Sequence, residues 1–555
     1  MSDAIPDEIS TFAWECVQNF DNTILDMKQV YNRKISDDVC EGSGFCTKIE
    51  TVGINHKDAG NGRVMLKFNL SDGEYSIPCI THNANEKYLG GRMDDDDLAE
   101  MLMLLTESQK QGKRIEVTGN YINFGKKRVF VCCNIKIDSG FKESQMTDKQ
   151  FKKFKQLCDK HKITPLDLAM RDDTLWAELY AQDFLKKAVL LFLLSPEKKQ
   201  DMIHIGIVSS HGEGKDHLVE RVIQPVAPCR MAGSGKMSTI PGLFGAMSGD
   251  DLNAIEIGLM PKMNHERVAV SEFQTWGDET FGELMNMMAN GKIEMQKGAL
   301  DIQRETTLNL LFLGNPPHYY DEEKHNKKEM LAAFGQYTYQ IISRLTLIFT
   351  QLSLSGADAK GAIRMAIIDS MDGVFENGNM KEDLDTWRNF FKEYFRYVSH
   401  IKPKIRPIMP RINSIYDEME NRPQFKDAFC IRSTTDNRKY QEFANLVRGF
   451  ARLHGDEKIT LKHLLDAQNI FEVSLQTLTE EFPLSAMMDG VDEEVIAIYQ
   501  KLLKDCPVAE SLKDIRTTVK ITNDQLDILI RSGAITKFEN GAYFVNEGWG
   551  VSANE

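Results

Sequence analysis

The segment that most constrains this chain runs from His204 to His217. His204-Ile205-Gly206-Ile207-Val208 reads as a short apolar strand, Ser209-Ser210-His211-Gly212-Glu213-Gly214-Lys215-Asp216 follows, and a helix is predicted from His217. A strand that turns through glycines into a helix N-terminus sets backbone N–H groups and a favourable dipole against phosphate. Lys215 adds a charge for the β- and γ-phosphates. Ser210, His211, Gly212, Glu213, Gly214, Lys215, Asp216 and His217 are therefore candidate ATP-binding residues. Two positions depart from the usual phosphate loop. Ser209 stands where that loop has its first glycine, and Asp216 where it has the Ser or Thr that meets Mg2+.

Three later segments strengthen the match. Arg267-Val268-Ala269-Val270 is an apolar strand ending in Ser271-Glu272-Phe273, where two acids would be expected. Ser271 replaces the first acid; Glu272 is kept and is the candidate to orient an attacking water. Leu308 to Leu313 ends in Gly314-Asn315-Pro316-Pro317, and Asn315 at that strand end can position water near a γ-phosphate. Ile342 to Phe349 places Arg344 just before an apolar strand; in ring ATPases such an arginine reaches a neighbour's γ-phosphate. Each element has a plain reading as a buried strand end, a turn or a surface arginine. Four in this order argue together for an α/β nucleotide-binding module over residues 203–350.

The remainder is larger than one further core. A chain of 555 residues predicts three to five domains, and a net charge of −15 confines any nucleic-acid contact to local basic patches. No apolar run is long enough to cross a bilayer, the polar start is not secretory, and ten cysteines without a CxxC pair read as reduced thiols. The expected location is cytoplasmic, or nuclear in a eukaryote. Residues 8–32 carry apolar positions at helical spacing. From 42 to 138 the pattern becomes strands (Arg63 to Leu70, Glu74 to Ile80, Arg114 to Ile122, Arg128 to Ile137) with a helix at Asp95 to Thr106, which suggests an OB-fold barrel. Lys126, Lys127 and Arg128 would then meet phosphates while Tyr121 or Phe124 stacks on bases; a solvated hairpin with core aromatics is the equal alternative. Residues 146–180 read as a helical linker, Gln182 to Leu194 as an apolar helix, and 380–480 as helical. Residues 490–547 outline a winged helix whose recognition helix, Asn523 to Arg531, is not very basic.

The stretches SSHGEGKDHL, VAVSEFQ, LFLGNPP and ISRLTLIF, in this order, resemble the MCM family of AAA+ replicative helicases. IEMQKGALDI (Ile293 to Ile302) resembles that family's pre-sensor hairpin, which puts a lysine, here Lys297, into a ring channel. Gly242 to Leu259 lies where the family carries its helix-2 insertion, and Tyr180 to Leu194 resembles the opening of its ATPase domain. Phe443 to Leu475 resembles its helical lid, with Arg448 or Arg438 as sensor 2. The resemblance implies a multidomain chain: a helical segment (1–40), an OB-fold-like nucleic-acid-binding domain (41–140), a linker (141–180), an AAA+ core (181–380), a helical lid (381–484) and a winged helix (485–555). It also implies ATP and Mg2+, a homo-hexameric or other ring, single-stranded DNA in its channel, and replication accessory partners. The family's paired-cysteine zinc module is missing, so no zinc is expected. The altered loop suggests an exchange of metal ligands, with Asp216 supplying the carboxylate and Ser271 the hydroxyl. The expected activity is an ATP-driven DNA helicase or translocase; the alternative is a catalytically weak nucleotide- and DNA-binding assembly factor.

Overall fold

The computed structural model describes residues 5–20, 24–25, 27–34, 39–52, 65–71, 75–82, 95–111, 113–124, 127–137, 144–179, 181–209, 215–233, 239–247, 255–297, 300–315, 341–350, 378–425, 438–478 and shorter stretches between 498 and 545. The chain divides into two compact units. One holds Met1–Glu420 with Phe429–Thr477, the other Asn421–Ala428 with Leu478–Glu555.

The larger unit begins with α1 (Asp7–Gln18), which buries Ile9, Phe12, Ala13 and Cys16 on one face. Five strands then close on themselves: β1 (Cys40–Val52), β2 (Met65–Ser71), β3 (Ser76–His82), β4 (Arg114–Phe124) and β5 (Lys127–Ile137). The order is β1-β2-β3-β5-β4, and β4 pairs back to β1, so no strand of the ring is left as an open edge. Only β3 and β5 run parallel, Cys79 opposite Phe130; the helix α2 (Asp95–Gln111) makes the crossover between β3 and β4. Cys46, Leu66, Phe68, Ile77, Ile115, Val117 and Phe130 fill the interior. A bulge between Thr118 and Gly119 tightens the closure, and a Cβ at Gly119 would lie 2.0 Å from the Val131 carbonyl.

The linker forms α3 (Asp148–His161), started by a capping box between Thr147 and Gln150, and α4 (Asp183–Phe192) lies almost wholly inside. The second sheet comprises β6 (Ile205–Val208), β7 (Cys229–Ala232), β8 (Arg267–Ser271), β9 (Asn309–Gly314) and β10 (Leu347–Phe349). All are parallel, in the order β10-β6-β9-β8-β7. Their burial is nearly continuous, as expected where both faces are covered. Two antiparallel hairpins leave this sheet: Gly245–Met247 with Ile255–Ile257, and Lys292–Lys297 with Leu300–Glu305. Three long helices follow: α5 (Gly378–Ser399), α6 (Arg438–Leu453) and α7 (Leu461–Leu478).

In the smaller unit, Val508–Ala509, Tyr543–Val545 and Ile535–Lys537 make an antiparallel three-stranded sheet beside the helix Leu512–Thr518. Ile498, Leu502, Ile515, Leu529, Ile535 and Val545 form its core. The sequence pattern predicts a wing of two strands here, Ala534 to Phe538 and Ala542 to Val545 about a turn at Asn540-Gly541, and does not predict Val508–Ala509. The turn at Asn540-Gly541 lies outside the described residues, as does much of Asn523 to Arg531.

Candidate nucleotide site and barrel rim

Because the five strands of the second sheet are parallel, their carboxyl ends share one edge, where α/β sheets place their ligands. Register aligns that edge closely. Leu313 pairs with Ser271 on one side and Ile207 on the other, so Ser209, Glu272 and Asn315 all follow within two residues of one level. Gly314 ends β9 with Phe273 against it, and a Cβ there would meet that ring at 3.1 Å. The Gly314 carbonyl accepts the N–H of Ser209 at 3.2 Å, which ties the start of the phosphate loop to the neighbouring strand.

Ser210, His211, Gly212, Glu213 and Gly214 lie outside the described residues. Lys215 opens the helix Lys215–His217, two residues earlier than the sequence suggests, and the helix passes into a π-helical turn at Leu218–Ile223. The Lys215 ammonium donates to the Ser209 carbonyl at 2.6 Å and to its hydroxyl at 3.1 Å. The serine that replaces the usual glycine is thus an acceptor for the lysine. Asp216 and His217 are exposed, and His217 faces Glu220 at 4.0 Å. Ser271 is half-buried at the end of β8, two strands from β6 or roughly 10 Å across the sheet. Among the described residues no group of three or more His, Cys, Asp or Glu side chains is placed to hold a metal. Asp216 and Ser271 offer only oxygen, on the same edge as the loop, which is the donor chemistry Mg2+ takes directly or through water.

Glu272 is exposed and sits in the left-handed region at φ 50°, ψ 32°, a strained place for a residue with a Cβ. Its carbonyl is held by both the N–H and the hydroxyl of Thr275, at 3.0 and 2.8 Å. Asn315 follows β9 and is half-buried.

Arg344 occupies the opposite edge. Leu347 of β10 pairs with Ile205 at the start of β6, so Arg344, three residues upstream, lies at the amino end of the strand whose carboxyl end carries the loop. It is not placed to serve its own chain's Lys215. The turn after it is clasped from two sides. The backbone of His204 exchanges bonds with Thr346, and buried Lys439 of α6 donates to the Leu345 carbonyl at 2.7 Å. His204 Nδ1 accepts the Leu310 N–H at 3.2 Å, and burial, with Lys439 nearby, lowers its pKa to about 3. Arg448 lies on the same side as Arg344. It bonds Asp201 at 2.8 Å and Asn445 at 2.6 Å, just before β6, so it pairs at the amino edge and not beside the loop of its own chain. Arg438 begins the same helix, half-buried.

In the barrel, one of the two aromatic candidates is settled by burial. Tyr121 is buried against Phe130, ring centroids 5.3 Å apart, which is the core reading and not the stacking one. Burial pushes its hydroxyl pKa up. The Arg128 guanidinium lies 3.7 Å over the Tyr121 ring and donates to the Tyr31 carbonyl at 3.2 Å, so part of its capacity is taken by the fold. Lys127 is exposed. Lys126 and the side chains of Phe124 and Lys297 lie outside the described residues, although the backbone of Lys297 pairs with Leu300 next to the tip of its hairpin. Tyr31, Lys439 and Arg304 were not singled out from the sequence.

Comparison with known proteins agrees with the sheet. The family model of the MCM P-loop domain matches residues 150–371. The Xenopus laevis zygotic DNA replication licensing factor mcm6-B is 22% identical over 349 residues, covering 60% of this chain and 40% of that protein. The Xenopus laevis maternal DNA replication licensing factor mcm3 is 21% identical over 330 residues, covering 54% and 39%. The chain thus spans about 40% of the length of these curated relatives. Among the described residues no helix is long and apolar enough to cross a membrane. Over residues 150–371 this chain is thus similar to the P-loop domain of the MCM family.

Proposed function

We propose that the chain is an ATP-driven DNA translocase or helicase that works as a ring during DNA replication. The observation that carries this reading is the separation of Arg344 from Lys215 by the depth of the sheet. An arginine on the far edge has no phosphate to meet within its own subunit, whereas the loop edge of a neighbour supplies one. Around such a ring every loop is completed by the next subunit's Arg344. Lys215 would hold the nucleotide's phosphates, Glu272 orient the water and Asn315 help place it. Asp216 and Ser271 would share the metal's oxygen positions in exchanged roles. The closed barrel with its single parallel pair is proposed to be an OB-fold domain that guides a single strand, and the smaller unit a winged helix. Lys297, beside the tip of its hairpin, would contact that strand's phosphates in the channel. The relatives' names as DNA replication licensing factors support the setting.

Strand displacement on a tailed DNA duplex tests the proposal. Unwinding that needs ATP and is lost in both Lys215→Ala and Arg344→Ala is expected, with activity rising as subunits assemble. The replaced metal ligands favour one second reading, a nucleotide- and DNA-binding assembly factor without turnover. DNA binding that ATP leaves unchanged, with no unwinding, would select it. The ligand exchange has its own check: absence of ATP hydrolysis in the unaltered protein as well as in Glu272→Gln would remove it.

A further inference from the structure

With Tyr121 inside the barrel, the open aromatic surface lies elsewhere. Tyr31 is 48% exposed and its ring stands 5.4 Å from that of half-buried Tyr75, tilted by 48°. The two rings come from different elements. The short helix Met27–Asn32 turns Met27 and Val30 into the barrel core, which leaves Tyr31 outside. That helix sits close because Gly42 of β1 has no Cβ; Val30 Cγ2 lies 2.7 Å from where one would be. Tyr75 immediately precedes β3. Lys127 and Arg128 begin β5, the parallel neighbour of β3, so all three elements meet at one rim of the barrel. Arg128 completes the arrangement. Stacked on Tyr121 and bonded to the Tyr31 carbonyl, its exposed guanidinium is fixed beside the pair, with further N–H donors beyond that bond.

We propose that Tyr31 and Tyr75 are the base-stacking platform of this barrel, with Arg128 and Lys127 taking the adjoining phosphates of a single-stranded nucleic acid. The ligand class follows from the chemistry. Exposed Tyr31, backed by half-buried Tyr75, offers a π surface that any base covers, and Arg128 fixed at its edge, with exposed Lys127 next to it, matches a phosphodiester chain. A duplex keeps its base faces stacked inside and cannot use such a platform. The inference rests on the barrel reading above and extends it to a helix outside the 41–140 segment.

The test is fluorescence anisotropy of the full chain, without nucleotide, on labelled oligothymidylate, oligouridylate and an abasic phosphodiester of about 16 units. Tyr31→Ala and Tyr75→Ala should each weaken binding to the preferred base-bearing strand about tenfold, as loss of a stacked base does. Tyr31→Phe and Tyr75→Phe keep the ring and should bind as the unaltered chain does. The abasic polymer should bind the unaltered chain as weakly as it binds the alanine variants. Arg128→Gln should lower the salt dependence by about one ion, whatever the base. Thymidylate against uridylate shows which sugar the rim prefers. Unchanged affinity in the double alanine variant, equal binding of the abasic chain, or a phenylalanine loss as large as the alanine loss overturns the platform alone. Failure of the unaltered chain to bind any single strand overturns the barrel reading with it.

Discussion

Arg304 Nη2 donates a 2.7 Å hydrogen bond to the backbone carbonyl of Gln109, joining the second strand of the Lys297 hairpin to the end of the barrel helix α2. Both residues are buried, and Gln109 in turn donates to the Thr47 carbonyl of β1 at 3.2 Å. Arg304 meets no carboxylate here; its Nε and Nη1 have no hydrogen-bond partner among the described residues. Burial lowers its pKa to about 10. A buried guanidinium so poorly satisfied costs free energy that an apolar side chain of similar length does not. Arg304→Met should therefore raise stability by roughly 1–3 kcal/mol in calorimetry, while Arg304→Ala, which leaves a cavity, should lower it. Amide exchange at 300–305 should quicken in Arg304→Met if the bond to Gln109 fixes the hairpin on the barrel. Equal exchange in the two proteins would assign that fixing to packing.

Ser209 explains a departure from the usual phosphate loop. Its hydroxyl and carbonyl hold the Lys215 ammonium, and phosphate must draw the lysine away from both. Removing the hydroxyl removes one competing acceptor, worth about 0.5–1.5 kcal/mol, or roughly two- to tenfold in affinity. Ser209→Gly should bind a non-hydrolysable ATP analogue more tightly by that factor in titration calorimetry. Weaker binding would mean that the hydroxyl positions the lysine for phosphate.

Glu272 combines a strained backbone with an exposed carboxylate. A left-handed conformation costs a residue with a Cβ about 1–2 kcal/mol, and glycine adopts it freely. Glu272→Gln should keep nucleotide affinity and lose hydrolysis by about a hundredfold or more, as expected for a residue that activates water. Glu272→Gly should lose hydrolysis equally but unfold at a higher temperature than Glu272→Gln. Should glycine instead melt lower, the Thr275 bonds, and not backbone strain, set the local energy.

The parallel-sheet core was legible because each of its motifs is local. A strand end and the loop after it lie within a few residues, and 267–271 and 309–314 appear within one residue of where the pattern puts them. The closing barrel strand was less visible. Cys40–Val52 pairs on both sides, so residues 42–46 are buried in succession and the two-residue alternation that marks a half-exposed strand is lost. Tyr121 was open to a better reading. It shares a face with Ile115, Val117 and Gly119, and that period alone points it inward. The partners of Arg448 and Arg304 were not legible at all. Asp201 is 247 residues from the first and Gln109 is 195 from the second, and no local pattern records either meeting.

Lys439 and the backbone of His204 hold the turn that follows Arg344. His204 is neutral when folded, with Nδ1 accepting from Leu310, and its pKa falls to about 3. An unfolded histidine takes up its proton near pH 6.5. Between those two values the unfolded chain binds the extra proton, so His204 favours folding above about pH 6.5 and that contribution is lost as pH falls toward 3. His454, whose pKa burial also lowers, acts in the same direction. The melting midpoint should therefore fall on acidification from pH 7 to 5, and less steeply in His204→Gln. Lys439→Met, which keeps the stem and removes both the bond to Leu345 and the buried ion pair with Glu442, should leave nucleotide affinity unchanged and lower kcat in assembled rings by about tenfold, or roughly 1.4 kcal/mol of positioning. In Arg344→Ala the same lysine change should have no further effect, because the group it positions is gone. Full additivity of the two losses would show that Lys439 acts on the lid and not on the arginine.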